Sequence, residues 1–519
     1  MIELHYTKKE PKMSVPADIR AVARPKNTIV YAYGKNKDRY AVKQRVGCIR
    51  KNGHCYPVDG PTIGHIINGK FVPLEEPTSP AVHTSKTVLK DWANVELCYR
   101  QSAELMEELL QVYNRQDADK ILCMAILRVC YPHIKDCELK ESYDESFLTE
   151  LMPETAMSKN TISTFQKDLG KTCNRILKFM KNRAAKVGID DHLLIDGTLK
   201  SNDSRQNTLS EFSRKARLKG RRDISVLYAF DLEKMEPICS QCFPGNMLDL
   251  TSYDSFVKQN GIQSGIMVGD KGFPVKSIEE VLKDCPQLHY FNPLHRNAKL
   301  AFDHEMYNFE GVIEGCCGFL GQMEPIQFKK EKLSNKGKWL YSFRDPRRAA
   351  QEETDWLDKH RKDKYDFEEY EKKKRTFGTV VFESDVDLSP EDAWKTYSYR
   401  WQIEIVMRYY KNALGFDVTR VHDDYSVIGS EFIDFLSTVI TFRLLNLFDE
   451  KGLLEDMSYK KIMHILQRGK RIKNDNEWEL IKMNPGQIEI LQKLDLIPRP
   501  DPVDQPKRKR GRPRKNPTV

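Results

Sequence analysis

The sequence predicts an α/β protein whose main sheet is mixed and covered by helices. Three β-rich runs follow one another after residue 190: HLLIDGTLKS, RDISVLYAFDLE and MEPICSQCFPG. Helix-like and strand-like segments then alternate, with SYDSFVKQNG, SGIMVGDKGF and QLHYFNPL in that order. Successive strands followed by alternating strands and helices are typical of a mixed sheet with helices packed on it.

The first 190 residues fall into two parts with different sequence patterns. Residues 1–86 alternate short β-like runs with Gly, Pro and Asn, which predicts a small β-rich domain. Residues 87–190 place apolar residues at three- and four-residue steps, which predicts a helical region; it would be a DNA-binding region if it contains a helix-turn-helix. In this region MSKNTISTFQKDLG offers a Ser that would cap a helix and a Gly that would end it. A helix-turn-helix and a plain helical bundle both fit this pattern.

The remaining segments complete the predicted domain order. Residues 191–295 carry the first part of the mixed sheet. Residues 296–389 form a charged strand-and-helix stretch with weak periodicity and are interpreted as an insertion. Residues 390–498 are expected to be helices that complete the core. Residues 499–519 lack core-forming side chains, so we expect a disordered basic tail.

The composition, with 40% hydrophobic and 31% charged residues, fits a soluble protein. The start, MIELHYTKKEPKM, lacks the apolar stretch of a signal peptide, so none is expected there. The most apolar segment, Phe432–Phe448, contains Asp434 and Arg443, which indicates a buried helix and no membrane span. We therefore expect a cytoplasmic protein. Cys239 and Cys242 have CxxC spacing, but a zinc site needs four ligands, and free thiols are the simpler interpretation.

The positive charge is concentrated at the C-terminal end. The run Lys507–Lys515, KRKRGRPRK, has seven basic residues and no acid, so of the net charge of +9 only +2 remains for the rest of the chain. Such a run is typical of an arm that binds a polyanion.

One helix presents charged residues along a narrow stripe. In EDAWKTYSYRWQIEIVMRYYKNALGF, a turn of about 100° per residue places Tyr397, Arg400, Glu404 and Lys411 within about 60° of one another. The apolar residues of this segment fall on another face, which would pack on the core. By itself, the stripe also fits a solvated face with salt bridges.

Two aspartates follow apolar strands. Asp196 ends LLID, and Asp270 ends IMVGD. Each could be an ordinary turn residue, because Asp-Gly and Gly-Asp favour turns. If both strands are central in the sheet, however, the two carboxylates could meet at one edge opposite Glu404. Three convergent carboxylates repel one another unless hard divalent cations compensate them.

These residues together resemble a known family. The spacing Tyr397-x2-Arg400-x3-Glu404-x6-Lys411 is similar to the Tyr-Arg-Glu-Lys signature of a group of bacterial insertion-sequence transposases of the DDE type. LLIDGT, VGDKGF and PGNMLD, which spans residues 244–249, resemble further segments of that group. The resemblance covers roughly residues 140–450.

The resemblance implies a ribonuclease H-like catalytic core with a β-rich insertion between the second aspartate and the glutamate. It implies that Asp196, Asp270 and Glu404 are the catalytic metal ligands, and that they hold two Mg²⁺ ions, which Mn²⁺ could replace. Tyr397, Arg400 and Lys411 would contact the DNA backbone near the transposon end. The expected partners are two double-stranded DNAs, the terminal inverted repeats of the element and the target DNA. A homodimer would bind them, and no membrane would be involved. The protein would then be associated with the bacterial nucleoid. The expected activity is cut-and-paste transposition, with strand cleavage followed by strand transfer.

The basic tail and two tryptophans also suggest DNA contacts. Arg510-Gly511-Arg512-Pro513, followed by Arg514, resembles an AT-hook, which lies in a narrow, A·T-rich minor groove. A non-specific basic arm is the alternative. Trp339 and Trp356 in the insertion could stack on a flipped base, although ordinary packing explains each more simply.

Two other functions fit the same residues. A ribonuclease H-like nuclease would cut DNA with the same acids but would not join strands. A domesticated transposase would bind DNA without catalysis, although all three acids are present.

Overall fold

The computed structural model describes residues 15–34, 39–51, 54–74, 88–202, 204–213, 220–247, 249–269, 282–317, 323–333, 337–361, 366–398, 400, 415–474 and 477–499. The chain divides into two compact units, Met1–Thr87 and Val88–Val519.

The first unit is a four-stranded antiparallel sheet with one short helix, α1 (Ala17–Ala21). The strand order is β1-β2-β3-β4, with bounds β1 (Thr28–Tyr33), β2 (Arg39–Lys51), β3 (His54–Ile67) and β4 (Lys70–Pro73). Val30, Val42 and Ile66 form a small core on one face of this sheet.

The second unit is built on a nine-stranded mixed sheet with the order β11-β12-β13-β14-β10-β9-β6-β7-β8. Strands β6, β7 and β8 form an antiparallel meander, and β9 and β10 run parallel to β6. The bounds are β6 (His192–Ser201), β7 (Asp223–Asp231), β8 (Glu236–Pro244), β9 (Ser264–Val268), β10 (Gln287–Pro293), β11 (Gly311–Cys317), β12 (Met323–Leu333), β13 (Lys338–Arg344) and β14 (Thr379–Ser384).

Helices cover this sheet. Their bounds are α2 (Ala93–Gln101), α3 (Ala103–Leu110), α4 (Arg115–Cys130), α5 (Leu139–Glu145), α6 (Leu148–Leu151), α7 (Lys159–Lys171), α8 (Cys173–Ala184), α9 (Asp249–Asn260), α10 (Lys299–Asp303), α11 (Pro346–Lys359), α12 (Phe367–Lys374), α13 (Asp424–Glu450), α14 (Tyr459–Gln467) and α15 (Pro485–Lys493). Residues 390–398 are also helical.

The burial pattern of β7 fits its place as an interior strand of the sheet. The strand β7, DISVLYAFD, is apolar almost throughout and is buried over nearly its whole length. A strand covered on both faces shows such a continuous run, whereas a half-exposed strand alternates polar and apolar residues. The predicted mixed sheet with helices is confirmed, because each predicted β-run after residue 190 forms a strand of this sheet.

The segment predicted as an insertion extends the same sheet. From residue 296 to 389, strands β11–β14 add to the edge at β10, where Asn292 pairs with Glu383. Weak periodicity in the sequence does not indicate which sheet a strand joins, since that depends on pairing between distant residues.

The helical segment around residue 160 packs as part of a bundle. The Ser158 hydroxyl accepts a hydrogen bond from the Thr161 N–H at the start of α7, as predicted. Gly170 does not end this helix, which continues to Lys171. A Cβ at Gly170 would lie 1.8 Å from the Tyr425 carbonyl oxygen, so this glycine allows close packing of α7 on α13. Because α8 begins two residues after α7 ends, the short turn of a helix-turn-helix is absent between these two helices.

The expectation that residues 390–498 contain only helices is wrong in one place. The hairpin β15 (Lys470–Asn474) and β16 (Glu477–Leu480) pairs with β5 (Val88–Asp91) in a separate three-stranded sheet. The Arg471 guanidinium lies 3.9 Å from the Trp92 ring centroid across this pairing. A contact between residues so far apart in the chain leaves no local signal in the sequence.

The apolar segment Phe432–Phe448 is the interior of α13, and most of it is buried against the sheet and the neighbouring helices. Among the described residues, no helix combines the length and the apolar character that crossing a membrane requires.

Candidate functional site

Asp196 lies in the middle of β6, an interior strand of the main sheet. It pairs with Tyr228 of β7, and its side chain is half-buried. One of its carboxylate oxygens accepts a hydrogen bond of 2.9 Å from the Gly197 N–H. The flanking Leu194 and Ile195 are buried, so the strand holds this carboxylate at the border of the core.

The strand β9 runs parallel to β6 and leads to the second predicted aspartate. The pairing of the two strands ends with Leu194 opposite Val268. Asp196 is the second residue after Leu194, and Asp270 is the second residue after Val268. Asp270 itself lies outside the described residues.

Gly269, the residue before Asp270, continues the contact between β9 and β10. Its N–H donates a hydrogen bond of 3.1 Å to the Phe291 carbonyl oxygen. A Cβ at this position would lie 1.8 Å from Oδ1 of Asn292, which is almost fully buried. A glycine is therefore needed there, because any side chain would collide with Asn292.

The helical residues 390–398 carry the first member of the predicted stripe. Tyr397 is only 9% exposed, and its ring packs edge-on against Phe382 at 4.8 Å between centroids. The Arg400 guanidinium is 6.0 Å from the Tyr397 ring centroid. A DNA contact by Tyr397 or Arg400 stays a prediction, and Glu404 and Lys411 lie outside the described residues.

A buried cluster of charges, which the sequence did not predict, lies on the same strand as Asp196. Lys200 of β6 is 2% exposed and donates hydrogen bonds to Glu431 and Asp434 of α13. Asp434 also accepts a hydrogen bond of 2.7 Å from Arg128 of α4, which is 7% exposed. Because β-strand side chains alternate between faces, Asp196 and Lys200 lie on the same face of β6. The cluster therefore ties this strand to two helices.

Opposing effects determine the ionisation of this cluster. Burial lowers the pKa of Lys200, but the carboxylates of Asp434 and Glu431 outweigh this effect and raise it. Burial raises the pKa of Glu431, and Lys200 offsets only part of that rise. The Lys200 ammonium is therefore charged at neutral pH, held by the two carboxylates. Buried charges that are paired and hydrogen-bonded avoid most of the cost of leaving water.

A cavity of about 270 Å³ adjoins this cluster. Arg128, Asp136 and Asp434 line one part of it, and Arg420 and Phe416 line another. Asp136 accepts hydrogen bonds from Arg128 and Gln166, so its carboxylate is engaged in the structure.

A second buried cluster holds the helices to β8. Arg183 of α8 donates hydrogen bonds to Glu236 and Glu108, and Arg443 of α13 donates to Glu236 at 2.8 Å. Burial raises the pKa of Glu236, but the hydrogen bond from Arg443 and the charge of Arg183 outweigh this, so its pKa is lowered. The sequence contained a partial signal, because Arg443 stands in an apolar run and requires a partner.

The described residues include no group of three or more His, Cys, Asp or Glu arranged to hold a metal ion. This finding does not cover the predicted metal site, because Asp270 and Glu404 lie outside those residues. Cys239 and Cys242 are free cysteines on β8, and Cys239 is buried.

The two tryptophans of the predicted insertion make packing contacts. Trp339 of β13 has the Lys330 and Lys332 ammonium groups 4.6 and 5.1 Å from its ring centroid. Trp356 stacks on His360 with 4.1 Å between centroids. The predicted AT-hook residues, Arg510, Gly511, Arg512, Pro513 and Arg514, lie outside the described residues.

Comparison with known proteins gives one informative match. Residues 188–427 match the family model of the transposase DDE domain, a segment that includes Asp196, Asp270 and Glu404 and covers less than half of the chain. No curated protein sequence matches the chain. Among solved structures, the piggyBac transposase synaptic complex with hairpin DNA aligns at 11% identity and a TM-score of 0.37, covering 72% of this chain and 80% of that one. A likeness this weak does not establish a common fold. Residues 188–427 are therefore similar to a transposase DDE domain.

Proposed function

We propose that this protein is a DNA transposase that moves an insertion sequence by a cut-and-paste route. One observation carries the proposal. In the segment that matches the transposase DDE domain, two neighbouring parallel strands pair at Leu194 and Val268, and an aspartate follows each of these residues at the same distance along the chain. Equivalent positions on neighbouring parallel strands lie side by side.

The strand order supports a ribonuclease H-like core for this segment. The five strands β8-β7-β6-β9-β10 form an antiparallel meander joined to two strands parallel to β6. The family resemblance implies this kind of sheet. In it, Asp196 lies on the central strand.

The donor set suits a divalent cation. Asp196, Asp270 and Glu404 would supply carboxylate oxygens, which Mg²⁺ prefers, and Mn²⁺ could take its place. Two bound ions would activate the attacking oxygen and stabilise the leaving oxygen in phosphoryl transfer. Tyr397, Arg400 and Lys411 would hold the DNA backbone beside these acids. In the proposed reaction, water opens a phosphodiester at the element's end, and the released 3′ hydroxyl then displaces a target-strand oxygen. Each step exchanges one P–O bond for another.

The experiment replaces each acid in the full chain: Asp196→Ala, Asp270→Ala and Glu404→Ala. Cleavage of supercoiled donor DNA with Mg²⁺ should fall at least about 100-fold, because a metal supplies several kcal/mol of transition-state stabilisation. Binding to the element's ends should persist, since few DNA contacts are removed. Asp190→Ala, at an exposed aspartate just before β6, is the matched control.

A residue whose alanine variant cuts at nearly the wild-type rate is not a metal ligand. A strand-transfer assay on the wild-type protein distinguishes the remaining functions. Cleavage without joining would indicate a nuclease, and end binding without cleavage would indicate a domesticated DNA-binding protein.

A further inference from the structure

The N-terminal unit is strongly basic. Residues 1–87 contain 15 Lys and Arg against 7 Asp and Glu, a net charge of +8. With +7 in the run Lys507–Lys515, the rest of the chain carries a net charge of −6. The net charge of +2 that remains when only the tail is subtracted is therefore the sum of a basic N-terminal unit and an acidic remainder. A basic unit in a chain whose remaining body is acidic favours a polyanionic partner for that unit.

The sheet of this unit has two different faces. One face carries Val30, Val42 and Ile66, against which Ile19 and Val22 pack. The opposite face, here the outer face, carries Tyr31, Tyr33, Arg39, Ala41, Lys43 and His65. Sheet residues directly opposite each other on neighbouring strands share a face.

Aromatic rings are grouped on the outer face around a small residue. Ala41 of β2 is opposite both Tyr31 of β1 and His65 of β3. Tyr33 is next to His65, with ring centroids 5.7 Å apart and 3.2 Å between the Tyr33 hydroxyl and His65 Nδ1. Tyr31 and Tyr33 are 38% and 42% exposed. Two partly exposed tyrosine rings thus lie next to one another along β1, near the small side chain of Ala41.

Cations flank these rings. The Lys43 ammonium is 5.3 Å from the Tyr31 ring centroid, and Arg39 is opposite Tyr33 in the register and is exposed. Asp59 accepts a hydrogen bond from the Tyr31 hydroxyl. This hydrogen bond holds the Tyr31 side chain in one orientation.

We propose that the outer face of the N-terminal sheet binds single-stranded DNA, with Tyr31 and Tyr33 stacking on unpaired bases while Arg39 and Lys43 contact the phosphates. Exposed aromatic rings between cations, on an antiparallel sheet, provide both interactions that such a strand needs. A duplex hides the faces of its bases, so it could use the cations but not the rings. The choice of DNA over RNA rests on the proposed function; the stacking face does not.

The experiment measures binding of the full chain to labelled oligonucleotides of one sequence, as single-stranded DNA, duplex DNA and single-stranded RNA at fixed salt. Tyr31→Ala and Tyr33→Ala should each raise the Kd for single-stranded DNA about 5- to 150-fold, the loss expected for one stacked base. The Kd for the duplex should change less than about twofold on the same reasoning. Tyr425→Ala, at a tyrosine of α13 that is 48% exposed, is the matched control.

Conservative variants separate stacking from folding. Tyr33→Phe keeps the ring and should keep the affinity, whereas Tyr33→Leu keeps apolar bulk without a ring and should lose it. If an alanine variant unfolds, this Phe–Leu comparison decides the question. Unchanged affinity in Tyr33→Leu, or equal losses on duplex and single-stranded DNA, would overturn the proposal. A tyrosine-dependent preference for RNA would overturn the choice of DNA. This test measures binding and not cleavage. Its outcome therefore does not depend on whether Asp196, Asp270 and Glu404 prove to be catalytic.

Discussion

Among single residues, Lys200 holds its charge in an almost fully buried position. Its ammonium is buried on β6, and two carboxylates of α13 share it. Paired buried charges add little net stability over an apolar core, but removing one partner leaves the others uncompensated. This cluster therefore fixes how α13 sits against the strand that carries Asp196.

Lys200→Met should lower the free energy of unfolding by about 3–5 kcal/mol, because Glu431 and Asp434 lose their shared cation. Chemical unfolding followed by tryptophan fluorescence measures the change. Lys186→Met, at an exposed lysine that bonds to Glu108, should cost at most about 1 kcal/mol. The double variant Lys200→Met with Glu431→Gln should regain part of the stability. A smaller effect than that of the Lys186 variant would contradict this expectation.

Glu352 of α11 predicts a pH dependence. Burial raises its pKa, but hydrogen bonds from Arg296, the Gly378 N–H and Arg348 outweigh this and lower it to about 2. A carboxyl whose pKa is lowered by folding stabilises the protein above its unfolded pKa, and this contribution disappears as pH falls towards the folded value. The stabilisation from Glu352 should therefore be complete at neutral pH and decline from about pH 4.5 towards pH 2.

Glu352→Gln should accordingly melt at a lower temperature than the wild type at pH 7, with a loss of roughly 1–3 kcal/mol. The difference in melting temperature between the variant and the wild type should become smaller as pH falls below about 4.5. Melting curves from pH 7 to pH 3 test this, with the exposed Glu368→Gln as the control. A gap that stays constant over this range would show that Glu352 is not ionised differently in the two states.

Among the helices, the packing of α7 on α13 depends on the absence of side chains. A Cβ at Gly429 would lie 2.0 Å from the Gln166 carbonyl oxygen, and one at Gly170 would lie 1.8 Å from that of Tyr425. Backbone atoms cannot move aside as a flexible side chain can, so the two helices would have to separate.

Gly170→Ala should therefore destabilise the protein by about 1–3 kcal/mol or more. This is the reverse of the usual stabilising effect of alanine in a helix. Gly486→Ala is the matched control, because a Cβ at this glycine of α15 would meet only Asn484 Oδ1, at an ordinary contact distance of 3.8 Å, and alanine there should stabilise by up to about 1 kcal/mol. Thermal unfolding of both variants measures these changes in stability. A Gly170 variant as stable as the wild type would rule out the close approach of the two helices.

At the scale of the whole molecule, positive charge stands at the two ends of the chain and the body between them is acidic. Long-range attraction of DNA therefore depends on the terminal segments, since an acidic body does not attract a polyanion. The acids proposed to hold metal ions belong to that body.

Deleting residues 507–519 should weaken general DNA affinity while leaving the fold and the chemical step intact. Each phosphate that the shortened chain no longer neutralises should reduce the slope of log affinity against log salt by roughly 0.9. If Arg510–Pro513 acts as an AT-hook, affinity should fall more on A·T-rich duplexes, and Arg512→Ala should reproduce most of that preference. Competition binding with matched A·T-rich and G·C-rich probes measures it. Equal decreases on both probes would indicate a non-specific arm.

The sequence by itself determined the strands from β6 to β10, the start of α7 at Ser158 and the buried character of Phe432–Phe448. Each depends on the local periodicity of apolar residues or on a capping side chain a few positions away. The pattern around Asp196 also identified the transposase segment. Neighbouring residues determine such features, so they can be predicted without knowledge of the fold.

Only the tertiary structure decided which distant residues meet. It joined β11–β14 to the main sheet, paired the hairpin β15–β16 with β5, and placed Lys200 between Glu431 and Asp434. It also turned Tyr397 towards Phe382, although the helical stripe had grouped that tyrosine with charged residues. Pairing across hundreds of residues is selected by the complementarity of whole surfaces, and no short stretch of sequence contains that information.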